Sequence, residues 1–284
     1  TSQHHHIATS PHHHITTSQH HHITTSPHHH ISTSPHRNIT TSLQRSPHFR
    51  FMQQYTTFDK IKAMSVHLFT SSGLIAGFMA LLALAQNNFT VATLWMVLTL
   101  IIDGIDGTFA RLFKVKQVLP NFNGTMIDYV VDFFTYAILP AYFFYQAHLL
   151  PPQLELVGVC MVLLVSAIYY GKDGMVSDNY HFVGFPVMWN VVVWYMYFVT
   201  QTNVWINFCA VVVFSILHFV PIKYPYPSRT LQFRGLNIAA TVLCITSTVM
   251  CAWQYPNFTY WNYLALLSVA YYGFISVYYT YTHR

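Results

Sequence analysis

The chain has 284 residues, of which 53% are hydrophobic, 17% aromatic and only 7% charged, with a formal net charge of +5. About a quarter of the residues of a soluble domain are charged, so this composition excludes a soluble domain and indicates an integral membrane protein. The positive excess is typical of a protein that meets anionic lipid headgroups, and we do not read it as a nucleic-acid-binding signal. The four cysteines stand singly, without the CxxC spacing of a soft-metal site.

The first predicted domain, residues 1–51, is built from an eight-residue repeat. Units such as TSPHHHIT recur and degrade toward residue 48, and they hold 14 of the 19 histidines. Because each unit offers at most one large apolar residue, the repeat cannot bury a core and we expect it to be disordered. We interpret it as an expanded repeat read in frame ahead of a true start at Met52. The alternative is a histidine arm that binds Zn²⁺ or Ni²⁺.

The second predicted domain, residues 52–284, is an all-α membrane domain. Eight apolar stretches are long enough to cross a bilayer, which takes about 20 residues. They lie near 65–86, 89–112, 125–148, 153–170, 182–199, 203–221, 235–253 and 259–280. Pro140 and Pro186 fall inside two of these stretches and predict kinks or breaks, because proline removes a helix hydrogen bond.

The lysines and arginines predict how these segments are oriented. All 13 lie in the N-terminal part, in alternate connections around 111–116, 172 and 223–234, or at Arg284. The intervening connections carry none. By the positive-inside rule, both termini and the charged connections face the cytoplasm.

Four aspartates are concentrated in one 30-residue window. Asp103, Asp106, Asp128 and Asp132 make up half of the eight acidic residues of the chain. An ionisable group at membrane depth costs about 2.5–3.5 kcal/mol on insertion scales, so four of them indicate a functional site. On two antiparallel helices, their i, i+3 and i, i+4 spacings bring the carboxylates to one depth below the cytoplasmic surface. The cation that best fits such a cluster is a hard divalent metal, Mg²⁺ or Mn²⁺.

The spacing of these acids carries a family resemblance. The window reads Asp103-x2-Asp106-Gly107-x2-Ala110-Arg111-x12-Gly124-x3-Asp128-x3-Asp132. It resembles the signature of the CDP-alcohol phosphatidyltransferases, membrane enzymes of phospholipid synthesis. The twelve-residue spacer is longer than the family's usual eight and resembles that of the bacterial phosphatidylcholine synthase branch. The stretches KAMSVHLFT, VLPNFNG, SAIYYGKDGM and FVGFPVMWN are similar to the same branch, and the resemblance runs from about Phe58 to the C-terminus.

The resemblance implies a reaction, a cofactor and a location. The phosphatidyl group of CDP-diacylglycerol would pass to choline with release of CMP, assisted by Mn²⁺ or Mg²⁺. The site would face the cytoplasm from a multi-pass protein of the bacterial inner membrane, with membrane lipids as neighbours. Family members are often dimers, so a homodimer is expected.

The resemblance also implies roles for the motif residues. The implied metal ligands are Asp103, Asp106, Asp128 and Asp132. Asp132 is in addition the implied general base that takes the proton from the acceptor hydroxyl. The implied CDP- and phosphate-binding residues are Gly107, Ala110, Arg111 and Gly124. For the two glycines, close helix packing is the other interpretation, and for Arg111 it is anchoring at the membrane edge.

A choline acceptor requires a site for a quaternary ammonium group. Aromatic rings supply one through cation–π contacts of roughly 0.5–2 kcal/mol each. The candidate rings are Tyr169, Tyr170 and Trp189, which lie in stretches similar to the synthase branch. Among the basic residues of the 223–234 connection, we expect Lys223, Arg229 and Arg234 to orient the protein or to meet lipid phosphates.

Two alternative functions remain open. The same fold and metal site could serve another alcohol, such as ethanolamine, serine or inositol. A divalent-metal transporter could instead use the aspartates as an ion path. A transporter would be expected to show an inverted repeat and polar residues on both sides of the membrane midplane, whereas the predicted acids lie on one side.

Overall fold

The computed structural model describes residues 55–172, 174–177, 180–227 and 229–282. These residues are mostly helical, with one two-stranded sheet. The predicted repeat at 1–51, the proposed start at Met52 and the basic Arg284 lie outside the described residues.

The described helices and strands follow in chain order. The helices of the first half are α1 (Thr57–Ala85), α2 (Phe89–Leu112), α3 (Val115–Val118), α4 (Gly124–Asp132), the π-helical turn π1 (Phe133–Ile138), α5 (Leu139–Gln146) and α6 (Glu155–Tyr170). The second half contains β1 (His181–Val183), α7 (Trp189–Trp194), the π-helical turn π2 (Tyr195–Val199), α8 (Val204–Leu217), β2 (Lys223–Pro225), α9 (Arg234–Gln254) and α10 (Tyr260–Thr282).

The predicted all-α membrane fold is confirmed. Within the described ranges, four helical stretches are long and apolar enough to cross a membrane: α1, α2, the continuous run 124–146 and α9. Three further apolar helices, α6, the run 189–199 and α8, are shorter. Helices therefore overlap the predicted segments, although their lengths differ from one another more than the sequence indicated and the fifth segment is helical only from Trp189.

Helix α1 begins at Thr57 instead of near residue 65 because a capping box stabilises its first turn. The Thr56 hydroxyl accepts from the Asp59 N–H at 3.2 Å, and the Asp59 carboxylate accepts from the Thr56 N–H at 3.0 Å. Two N–H groups without an intrahelical partner are satisfied in this way. Such a polar start lies ahead of the apolar stretch that marked the predicted segment.

The predicted fifth segment, 182–199, is wrong in its first part. His181–Val183 pairs with Lys223–Pro225 as an antiparallel ladder, and helix begins only at Trp189. The backbone N–H of Gly184 donates to the Ile222 carbonyl, so these groups are satisfied by a neighbouring strand rather than by a helix. Pro186 therefore precedes α7, so the predicted segment is broken at this proline and no helix runs through it with a kink.

Around Pro140 the helical pattern does change, as predicted. The run 124–146 switches to π-helical hydrogen bonding at Phe133–Ile138, immediately before Pro140. Proline lacks the N–H that would bond to the carbonyl four residues earlier, and π turns are one way in which a helix absorbs this loss.

Two glycines of α1 allow it to approach the helix that follows α3. A Cβ added at Gly73 would lie 2.9 Å from Cγ1 of Val131, and one at Gly77 would lie 2.7 Å from Cε1 of Phe134. Larger residues at either position would force α1 away from α4 and π1. Helix α1 also packs along α2, so it holds the two segments that carry the aspartates.

We expect Gly184→Ala to destabilise the protein much more than Gly174→Ala. Both glycines have positive φ, +92° and +75°. A side chain in the left-handed region costs about 1–2 kcal/mol in either case. At Gly184 the added Cβ would also meet the carbonyl oxygen of His218, whereas at Gly174 it would meet nothing within 4 Å. Overpacking of this kind adds typically ~1–3 kcal/mol.

The measurement is thermal unfolding of both variants in detergent, with the monodisperse fraction recorded in parallel. Equal losses of Tm in the two variants would contradict the proposed role of the close contact at Gly184.

Candidate active site

Three of the four predicted metal ligands come together in the structure. Asp103 on α2 and Asp128 and Asp132 on α4 each place a carboxylate oxygen within 4.8 Å of the others. We call these residues the aspartate triad. Helix α4 starts at Gly124 because the Asn123 side chain caps it, accepting from the Met126 N–H at 3.2 Å. Asp128 and Asp132 are four residues apart within α4, so they lie about one turn apart on one face of the helix.

Asp106 does not join the triad. It is 6% exposed and lies beside Thr70 of α1 and its own neighbour Gly107. Residues at i and i+3 lie near but not on the same line of a helix. Asp103 consequently faces α4, while Asp106 is turned toward α1.

The donor set of the triad fits a hard divalent cation. Its ligands are all carboxylate oxygens, which Mg²⁺ and Mn²⁺ prefer. The Oδ1 atom of Asp132 is buried without a hydrogen-bond partner. A buried polar atom is normally satisfied, and a bound cation would satisfy this one while offsetting the repulsion among the three carboxylates.

Tyr136 is a neighbour of the triad whose role the sequence did not reveal. It lies in π1, is 6% exposed, and its hydroxyl donates to Oδ2 of Asp103 at 2.7 Å. Its position four residues after Asp132 was a usable signal, since i, i+4 residues share a helix face. That its partner would be Asp103 on another helix could not be read from spacing.

The predicted phosphate-binding residues have distinct surroundings. A Cβ at Gly107 would lie 3.5 Å from a guanidinium nitrogen of Arg111, and equally 3.5 Å from one of Arg229. At Gly124 it would lie 2.7 Å from Cε1 of His67. Ala110 packs against a small apolar cluster at the start of α1. Gly107 thus borders the cationic groups, while Gly124 allows close packing of a buried ring.

Arg229 is a functional candidate that sequence reasoning placed elsewhere. We expected it to orient the protein, whereas its guanidinium lies at the site and interacts electrostatically with Asp103, Asp106 and Asp128. Its guanidinium also stacks over the Tyr226 ring at 4.8 Å. Burial raises the pKa of Tyr226 although Arg229 opposes this, so the phenol is neutral at physiological pH. No motif links these residues to the aspartates along the chain.

Of the three predicted choline-binding rings, Tyr170 lies near the triad. It interacts electrostatically with Asp132, and its ring lies 5.7 Å from that of Tyr129 and 6.2 Å from that of Phe133. Tyr169 and Trp189 instead pack on His218, at 5.4 and 5.3 Å between ring centroids. Their polar atoms already have partners. The Tyr169 hydroxyl donates to the Val183 carbonyl, and the Trp189 N–H donates to Ser166.

Comparison with known proteins shows the family of the chain. No protein-family model matches it. It is 40% identical over 201 residues to a phosphatidylcholine synthase of Pseudomonas aeruginosa, covering 71% of this chain and 84% of the relative. It is 38% identical to the Mesorhizobium japonicum enzyme of the same name, covering 66% and 69%. A Borreliella burgdorferi phosphatidylcholine synthase is 32% identical over 229 residues, covering 79% and 97%. The chain therefore belongs to the phosphatidylcholine synthase family.

Proposed function

We propose that this protein transfers the phosphatidyl group of CDP-diacylglycerol to the hydroxyl of choline, giving phosphatidylcholine and CMP. Membership of the phosphatidylcholine synthase family supports the reaction. The observation that carries the assignment to a site is the aspartate triad, whose carboxylate oxygens lie within 4.8 Å of one another among apolar helices.

The chemistry is a displacement at phosphorus. The choline oxygen forms a bond to the phosphatidyl phosphorus, and the bond from that phosphorus to the CMP oxygen breaks with its electron pair. Asp132 accepts the proton of the choline hydroxyl. General-base assistance of this kind contributes typically 10²–10⁴-fold.

The proposed cofactor is Mn²⁺ or Mg²⁺. Asp103, Asp128 and Asp132 would hold it, and Asp106 is the fourth proposed ligand. When bound, the ion would neutralise negative charge on the diphosphate. The hydroxyl of Tyr136 would keep the Asp103 carboxylate in its liganding orientation.

We place choline beside Tyr170. The ring lies next to the triad together with those of Tyr129 and Phe133, and aromatic faces attract a quaternary ammonium without hydrogen bonds. The buried Tyr169 and Trp189 contact His218, the residue that follows α8. As proposed choline residues, they would act by supporting the aromatic rings around Tyr170.

The proposed setting is the bacterial inner membrane, crossed eight times, with both termini and the active site on the cytoplasmic side. The basic residues of alternate connections support this orientation through the positive-inside rule. The proposed nucleotide and phosphate contacts are Gly107, Ala110, Arg111 and Gly124. The enzyme domain would span 52–284 and act as a homodimer.

We expect Asp132→Asn to lower kcat for choline transfer by about 10²–10⁴-fold, because the amide cannot accept the proton. The measurement is incorporation of labelled choline into lipid from CDP-diacylglycerol, with Mn²⁺ present. Glu155→Gln is the control, since Glu155 pairs only with the exposed His148 at 3.1 Å among the described ion pairs. A kcat for Asp132→Asn within twofold of wild type would remove Asp132 as the base.

Chelation of divalent metal should abolish transfer, and added Mn²⁺ or Mg²⁺ should restore it. Tyr136→Phe should raise the metal concentration for half-maximal activity by roughly 10-fold or more, because loss of a residue that orients a ligand weakens metal binding. Tyr142→Phe on α5 is the matched control and should leave the metal requirement unchanged. Full activity in the presence of chelator would contradict the metal site.

Offered labelled choline, ethanolamine, serine, inositol and glycerol 3-phosphate in parallel, the enzyme should use choline. Tyr170→Ala should raise the choline KM by roughly 2- to 30-fold, the equivalent of one lost cation–π contact, and leave the CDP-diacylglycerol KM unchanged. Tyr170→Phe retains the ring and should retain the KM. Incorporation of a different alcohol in preference to choline would overturn the acceptor while keeping the transferase.

A further inference from the structure

A second arginine reaches the site from a distant part of the chain. The position that a Cβ of Gly107 would occupy lies 3.5 Å from Nη1 of Arg111 and 3.5 Å from Nη2 of Arg229. These two nitrogens are therefore no more than twice that distance apart. Arg111 belongs to α2, one turn beyond Gly107, whereas Arg229 belongs to the connection between β2 and α9.

Among the described residues, neither guanidinium lies within 4.0 Å of a carboxylate oxygen. In the part of the chain that the structure describes, the ion pair within 4.0 Å is that of His148 and Glu155. Arg111 donates to the Thr108 hydroxyl at 3.1 Å. Arg229 interacts electrostatically with Asp103 and Asp128 at longer range. The two guanidinium groups repel one another over Gly107. An anion bound between them would be attracted to both and would offset this repulsion. Guanidinium groups suit phosphate because they present parallel N–H donors.

Arg229 is held in place by its own connection. Thr230, 1% exposed, donates through its hydroxyl to the Tyr180 carbonyl at 2.7 Å and accepts from the Tyr226 N–H at 2.9 Å. The Tyr226 ring beneath the Arg229 guanidinium stacks in turn on Phe182 of β1, with 4.9 Å between centroids. The β1–β2 pair thus fixes the direction in which Arg229 points. A preorganised arginine loses less freedom on binding than a freely rotating one.

We infer that Arg229 and Arg111 form a two-arginine anion site over Gly107 that binds the diphosphate of the CDP-diacylglycerol donor. Arg229 is then a substrate-binding residue of the enzyme. It is contributed by the connection between β2 and α9 instead of by the aspartate motif. The identity of the anion rests on the proposed function. Arg229 also interacts electrostatically with Asp103 and Asp128 of the triad, so a diphosphate held by the arginines would lie on the side of the proposed metal ligands.

The test compares Arg229→Met and Arg229→Lys with Arg234→Met in steady-state transfer to choline. Loss of a hydrogen bond to a charged group weakens binding by roughly 10- to 100-fold. Arg229→Met should therefore raise the CDP-diacylglycerol KM by that factor and leave the choline KM unchanged. Arg229→Lys keeps the charge and should recover part of the loss. Arg234 is an exposed residue at the start of α9, at the other end of this connection, and its variant should stay within twofold of wild type.

Binding of soluble nucleotides to the purified full chain separates this inference from the proposed function. Measured by calorimetry, Arg229→Met should weaken the affinity for CDP at least 10-fold. The affinity for cytidine, which has no phosphate, should stay unchanged. Unchanged CDP affinity, or a rise confined to the choline KM, would overturn the inference. If wild type bound CDP through Arg229 but transferred nothing to choline, the anion site would stand and the proposed acceptor would fail.

Discussion

Mutual repulsion of carboxylates in an apolar setting is the constraint on which the rest of this structure depends. Asp103, Asp128 and Asp132 lie within 4.8 Å of one another, and charges at such distances interact far more strongly among helices than in water. The fold must both force them together and supply what makes the arrangement tolerable. Gly73 and Gly77 serve the first need, because they let α1 approach α4 and π1 closely while α1 also packs along α2. The Tyr136 hydroxyl, Arg229 and the proposed metal serve the second.

The β1–β2 pair and the connection that follows it lie beside the site, and this placement has a physical reason. Irregular backbone is tolerated near a membrane only where it is buried in protein or meets water. The β1–β2 pair satisfies its own N–H and carbonyl groups, and it carries Tyr226 and Arg229 toward the aspartates. A helix crossing the membrane at this position would have offered one residue per turn to the site. Strand β2 and the loop that follows it instead place the stacked pair of Tyr226 and Arg229 at the site together.

Sequence reasoning succeeded where function is encoded locally. The spacing of the aspartates identified three triad members from i, i+4 periodicity and from the resemblance of the motif, and apolar length located the helices. It failed over residues 182–188, because several backbone hydrogen bonds of residues 181–185 go to strand β2, to Ile222 and to the end of α8, more than 30 residues away. It failed in the same way for Arg229. Positive charge in a connection has an adequate topological explanation, so nothing local distinguished Arg229 from Arg234.

The sequence by itself determined that the chain is a helical membrane protein, that it carries four acids in one segment pair, and that it resembles one family of transferases. The first two follow from composition, periodicity and spacing, which are properties of neighbouring residues, and the third is the resemblance of one motif to that of a known family. The tertiary structure alone decided that Asp106 lies beside Thr70 and outside the triad, that Tyr136 bonds to Asp103, and that Arg229 converges with Arg111 over Gly107. These contacts join residues from different elements. They depend on how closely the helices pack and on which strands pair, and no local pattern specifies either.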